Sequence, residues 1–250
     1  MTVTESEIPI WDAHVHNWGA FTDPEAFRIH LERYPIRKVN LLGPLIGGWT
    51  PTPLEVEASN ERTRLFRDAF PDRVEAYCYV NPADPAHAVR EWKRCRALGF
   101  TGLKLWAAVR CDRPEVEPVV REAIAAGAPI LIHVWTKADG SLPGESLPDD
   151  FAALAARFPE GRFIMAHIGG RYEHGLAAID GLPNVWLDYA GSANEAGAYE
   201  AALATVGPER ILFGTDGPCH FLSCRARVLE AIDDPAIRRR IFFDNMAALA

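Results

Sequence analysis

Residues 100–135 read FTGLKLWAAVRCDRPEVEPVVREAIAAGAPILIHVW. An apolar run, FTGLKLWA, gives way to a polar turn. Proline and glutamate then open a stretch of helical spacing that stops at Gly127, and a second apolar run, PILIHVW, follows at once. Strand, helix and strand in this order read as two parallel strands joined by a crossover. The same alternation extends in both directions. IPIWDAHVH, RKVNLLG and RVEAYCYV precede this segment as strand-like runs, and RFIMAHIG, NVWLDYA and RILFGTD follow it. DPAHAVREWKRCRALG sets Val89, Trp92 and Leu98 at helix-like intervals, with Asp84 as N-cap and Gly99 as stop. LPDDFAALAARFPEG does the same with Phe151, Leu154 and Phe158, and Pro159 ends it. Residues 54–70 and 234–249 also fit helices. Eight strands with crossovers predict one (β/α)8 TIM barrel, a single domain over residues 1–250. An open doubly wound sheet would need a glycine-rich phosphate turn after the first strand, and HNWGAF is not one.

The totals narrow the function classes. A formal net charge of −8 argues against nucleic acid or an anionic membrane as partner, and points to a small-molecule substrate. No apolar run is long enough to span a bilayer, and MTVTESEIPI has the look of neither a basic nor an apolar leader region. Cys78, Cys95, Cys111, Cys219 and Cys224 are scattered without a C-x-x-C pair, so free thiols in a reducing cytoplasm are expected.

Polar residues gather where the predicted strands end, which in such a barrel is the active-site face. The first strand closes on His14-Val-His16, and strict alternation puts both imidazoles and Asp12 on one face. The fourth closes on Lys104-Leu-Trp106, the fifth on His133-Val-Trp135, the sixth on His167 and the eighth on Asp216. Taken singly, His133 reads equally as a core histidine, Asp216 as a helix N-cap and His167 as a loop residue. Taken together they form a ring of imidazole and carboxylate donors, which suits zinc, manganese or iron(II).

The order of these motifs resembles the amidohydrolase superfamily, and within it the amidohydrolase-related family of metal-dependent hydrolases and decarboxylases. WDAHVH, FPDRVEAYCYVNPADP, LGFTGLKL, ILIHVW, FIMAHIGG, ERILFGTDGP and FFDNMAALA carry the resemblance across nearly the whole chain. It implies a single barrel and an enzyme that often dimerises. It also implies His14, His16, His133 and Asp216 as ligands of a divalent ion, zinc before manganese or iron, with one ion per chain. His167 is then a catalytic or nearby imidazole, and Asp216 doubles as the group that takes a proton from water. The chain departs from the family in reading Asp188-Tyr189-Ala190 where relatives often have serine after the aspartate, and in its short loops.

Lys104 shares a strand face with Gly102 and Trp106, and an unpaired ammonium there would be costly. Pairing with a carboxylate is the expectation. Binding an acidic substrate, or carboxylation to bridge two metals, are the other readings, and only the last gives two ions per chain. Lys104, Trp106, Trp135, Arg171 and Asp188 are candidate substrate contacts. Trp18, Trp49, Arg110, Lys137 and His220 lie on the same side, while His30, His87 and His174 read as surface. The reaction expected is hydrolysis of an ester, lactone or amide by a metal-activated water. Decarboxylation of a small, carboxylated substrate is the alternative, and a barrel that only binds its ligand is a third reading.

Overall fold

The computed structural model describes residues 8–192 and 195–250. Residues 1–7, within the stretch MTVTESEIPI read above for a leader region, lie outside them. Eight strands form one parallel sheet in sequence order: β1 (Ile10–Val15), β2 (Ile36–Leu41), β3 (Val74–Val80), β4 (Gly102–Leu105), β5 (Ile130–Ile132), β6 (Phe163–Met165), β7 (Val185–Asp188) and β8 (Ile211–Leu212). The backbone bonds from Ala13 N to Phe213 O (2.8 Å) and from Asp216 N to His14 O (2.8 Å) bring β8 back against β1 and close the ring. Asp12 reinforces that closure by accepting hydrogen bonds from Thr215 Oγ1 (2.7 Å) and Thr215 N (3.1 Å). This is the expected (β/α)8 barrel.

The helices outside the sheet start where the sequence supplies caps. Asp23, Thr52 and Asp84 each accept a hydrogen bond from the first turn of α1 (Pro24–Arg33), α2 (Pro53–Ala69) and α3 (Pro85–Ala97), and each is followed by proline at the first helical position. Gly99 and Gly127 take positive φ just past α3 and α4 (Glu117–Ala125), as the stop signals require. The remaining helices are α5 (Pro148–Arg157), α6 (Tyr172–Ile179), α7 (Ala198–Val206), α8 (Phe221–Ala231), α9 (Pro235–Arg239) and α10 (Asn245–Leu249). One predicted C-terminal helix is thus α9 and α10 joined through a π-helical turn at Arg240–Asp244.

An outer apolar layer, including Leu103, Leu105, Ile130, Ile132 and Trp92, packs the sheet against the helices. An inner layer fills the barrel's lower half with Trp11, Ala13, Tyr77, Leu131, Ile164 and Leu212, and Met246 and Leu249 of α10 plug that end. Asn40 satisfies the polar atoms buried there, accepting from Trp11 Nε1 (2.8 Å) and donating to the Tyr77 hydroxyl (3.1 Å). Chemistry is therefore left to the opposite rim. Strict alternation fails on β1. Trp11 and Ala13 point inward, and a register shift against β2 between Asp12 and Val15 lets His14 and His16 also reach the rim. Asp12 does not share their face; its carboxylate turns to Thr215.

Two of the histidines read as surface are not. His87 is buried between α2 and α3, with Nε2 3.1 Å from Glu57 Oε1. Next to it, Glu91 is filled by Asn60 and Arg94, so this cluster ties two helices to β3. His30 sits among Phe21, Tyr34 and Phe221, and burial there presses its pKa down to about 4. A histidine whose folded pKa lies below its unfolded value lends stability above that value and loses it as pH falls. Acidification from about pH 7 to about pH 5 should thus cost about 1 kcal/mol at this residue, after discounting for partial exposure. Urea unfolding at both pH values should show that loss in the wild type and less of it in His30→Phe. Equal losses would mean that His30 titrates normally.

Candidate active site

Four imidazoles and one carboxylate converge at the rim. His14 Nε2 lies 3.2 Å from Asp216 Oδ1, and His16 Nε2 lies 3.7 Å from the same oxygen. Ligand atoms of His14, His167 and Asp216 fall within 4.8 Å of one another. His133 joins through His167, with Nδ1 to Nε2 at 3.1 Å. All five predicted residues are brought together.

The outward nitrogen of each ring meets an acceptor. His14 Nδ1 faces Asp188 Oδ2 (3.0 Å), His16 Nδ1 faces Gly43 O (2.8 Å), His133 Nε2 faces Glu145 Oε1 (2.8 Å) and His167 Nδ1 faces Ala190 O (3.1 Å). An acceptor holds the proton on the nitrogen it touches, which turns the other nitrogen's lone pair toward the centre. His133 Nδ1 and His167 Nε2 then present two lone pairs to each other, an arrangement that calls for a cation. The donor set fits a divalent ion.

At three of the four rings electrostatics favour the same protonation. Burial holds the pKa values of His133 and His16 below the ordinary range, the latter far below, and brings His167 to about 3. Burial and Lys104 also oppose a proton on His14, yet Asp188 and Asp216 outweigh them and raise its pKa; a divalent ion would displace that proton. Asp188 is held at about 2 and Asp216 well below its usual range, because the surrounding imidazoles overcome the cost of burial.

The backbone is strained where these side chains leave it. His167, Ile168 and Asp216 have φ of 60°, 50° and 63°, values that non-glycine residues adopt at a cost of about 1–3 kcal/mol each. The strain turns His167 and Asp216 off their strand ends toward the centre. Gly214 keeps the approach of two of these side chains open. A β-carbon there would stand 3.0 Å from His14 Cβ and 3.1 Å from Asp188 Cβ.

A cavity of about 220 Å³ opens above the centre, lined by His16, Trp18, Trp49, Trp106, His133, Trp135, Lys137, Glu145 and Asp216. Trp18 stacks on His16 (4.8 Å between centroids), and Trp135 lies 4.6 Å from His167. Trp106 and Trp135, two of the candidate substrate contacts, line the cavity. Arg171 lies in an adjoining depression that shares Trp135 and Lys137. Arg110 is spent on Asp150 at the start of α5, and His220 stays outside the cavity.

Two expectations change, and one residue of the site is new. Asp188 is fully buried and is not among the residues that line the cavity over the centre. It accepts from His14 and from the backbone N–H groups of His167 and Ala190 (3.0 Å each), so it positions the ring. Lys104 is fully buried too, but makes no ion pair with an acid among the described residues, and its Nζ lies 3.4 Å from His14 Nε2. The two nearby carboxylates already face His14, and burial lowers the Lys104 pKa to about 8. Glu145 went unnoticed in the sequence. It is buried against His133 and Lys137, and only its position 12 residues beyond His133, on the same loop, hinted at it.

The amidohydrolase family model matches residues 11–249. The chain belongs to the amidohydrolase family. It is therefore a member of a family of enzymes that includes decarboxylases and hydrolases. A search of curated protein sequences gives no match. Among solved structures, this family member is similar to 2,6-dihydroxybenzoate decarboxylase from Rhizobium, with a TM-score of 0.73 and 17% identity, covering 96% of this chain and 98% of that one. It is similar to a dihydroxybenzoic acid decarboxylase from a Polaromonas species with bound manganese and the inhibitor 2-nitroresorcinol, with a TM-score of 0.74, 17% identity and 96% of each chain covered. A probable 2-pyrone-4,6-dicarboxylic acid hydrolase from Acinetobacter baumannii with bound citric acid gives a TM-score of 0.70 at 14% identity, over 96% of this chain and 98% of that one. At such identities the likeness is one of fold. No helix among the described residues is long and apolar enough to cross a membrane.

Proposed function

We propose that this amidohydrolase hydrolyses a small, uncharged ester, lactone or amide with one divalent ion, zinc foremost, held by His14, His16, His133 and Asp216. When bound, such an ion polarises a carbonyl and lowers the pKa of water toward about 7. Asp216 is suited to accept a proton from the attacking water. Its Oδ1 faces His14 and His16, and its side chain remains 20% exposed to the cavity. His167, fixed at Nδ1 by Ala190, turns its Nε2 toward the centre beside His133 Nδ1, where it is placed to receive a proton. The tryptophans confine a flat group and keep bulk water out.

One observation carries the choice of an uncharged substrate. Lys137, the cation that lines the cavity, is already neutralised by both oxygens of Glu145 (2.8 and 2.9 Å). Lys137 is the one lysine or arginine among the residues lining this cavity; Arg171 lies in the adjoining depression. The flat aromatic walls and the likeness to dihydroxybenzoate decarboxylases favour a second reading, in which an aromatic acid loses CO₂ and His167 protonates the ring carbon.

The test is to load the purified protein with zinc or manganese and offer lactones, esters and amides beside aromatic acids. Acid production and CO₂ are followed together. Acid from an uncharged substrate, at about one metal equivalent per chain, is the expected result. CO₂ release without hydrolysis would replace this reading by the second.

A further inference from the structure

The loop between β5 and α5 is tied down at its ends and from within. Val134 and Ser146 bridge its ends, and Trp135 N donates to Ser146 O at 3.1 Å. Inside the loop, Glu145 has no solvent exposure in its side chain and accepts four further contacts: His133 Nε2 (2.8 Å), Lys137 Nζ on both oxygens (2.8 and 2.9 Å) and Leu142 N (3.0 Å). Trp135 and Lys137, which wall the cavity, belong to the same segment.

We infer that Glu145 is a positioning residue with two ends: one carboxylate fixes the ring of His133 and pins the loop 136–145 over the cavity, so that holding a divalent ion and closing this loop are a single event. The inference rests on the metal-centre reading. Its physical basis is the shared oxygen. Oε1 takes both the imidazole N–H and the Lys137 ammonium, so a rotation of the carboxylate that frees the loop also releases the proton that sets the His133 tautomer. An ion that draws on the Nδ1 lone pair makes Nε2–H a better donor and tightens the grip on Glu145. Outer partners of this kind change metal affinity by about 10–100-fold when removed.

The experiment uses the full-length chain as wild type, Glu145→Gln and Lys137→Met. Zinc affinity is measured by chelator competition, and amide hydrogen exchange across 136–145 is followed with and without zinc. Zinc should slow exchange of this loop in the wild type. Glu145→Gln should bind zinc about 10–100-fold more weakly and lose that protection. Lys137→Met removes one tether of the loop but keeps the contact to His133, so it should loosen the loop and weaken zinc binding together, each by less than Glu145→Gln does. Wild-type affinity in Glu145→Gln, or loop exchange indifferent to zinc in the wild type, overturns the inference. A wild type that takes up no zinc overturns the metal centre itself. Should Glu145→Gln fail to fold, Glu145→Asp keeps the charge but shortens the reach to His133, and unchanged affinity there overturns the inference equally.

Discussion

Asp216→Ala should lose at least about 10⁴-fold in kcat/KM, which is about 5.4 kcal/mol of transition-state stabilisation, and most of its metal. The size follows from the number of roles that end at one carboxylate. Asp216 supplies the anionic donor among four imidazoles, its Oδ1 meets both His14 and His16, and it is the acid of the centre that opens to the cavity. Without it, the rings retain lone pairs but no negative charge to balance an ion, and the water-facing base is gone. The barrel should still fold, because Asp216 closes the ring through its backbone N–H to His14 O, which alanine keeps. Alanine must adopt a φ of 63°, a modest cost. His133→Ala should behave similarly in metal content. Full activity in either variant, with metal analysis in parallel, would show that the donors have been misassigned.

The second large effect is expected at a residue that touches no substrate. In Asp188→Asn the side chain keeps its shape, but its two ends are no longer alike. Oδ1 of Asp188 accepts from two backbone N–H groups, those of His167 and Ala190, so the amide oxygen of asparagine must go there. That leaves the NH₂ facing His14 Nδ1, where a carboxylate oxygen now lies at 3.0 Å. Two donors cannot face each other, so His14 must shift its proton to Nε2 and lose the lone pair it presents to the centre. A wrong tautomer of this kind costs about 10⁴-fold in the serine-protease triad. Here a loss of about 10³–10⁴-fold in activity is expected, with metal affinity down by about 10–100-fold and a near-normal circular dichroism spectrum. Near-wild-type zinc binding in Asp188→Asn would sink the tautomer argument, whatever happened to activity.

Much of this arrangement is legible in the chain because a barrel reports its rim one strand at a time. Each late polar residue after an apolar run marks a strand's C-terminal end, so His14, His16, His133, His167 and Asp216 can be grouped from the chain alone. What the pattern cannot carry is the direction of a side chain once regular backbone stops. Alternation puts Asp12 on the face of His14, and the register shift on β1 sends it to Thr215 instead. Asp188 looks like another rim acid, but β7 is still regular there, and its carboxylate is drawn under His14. Glu145 belongs to a loop with no period at all, so only tertiary contact reveals it. Helices α6 and α7 are short, and their many small residues leave little periodicity to read.

The acceptors that hold the four rings are of two kinds, and this divides the centre's vulnerability to inheritance. His16 and His167 lean on the main-chain carbonyls of Gly43 and Ala190, which no codon change can delete. His14 and His133 lean on the carboxylates of Asp188 and Glu145, each one base change from a neutral residue. Drift can therefore retune this enzyme through the second pair of rings while the first pair stays put. Asp188 and Glu145 are accordingly where directed evolution of its metal preference should begin.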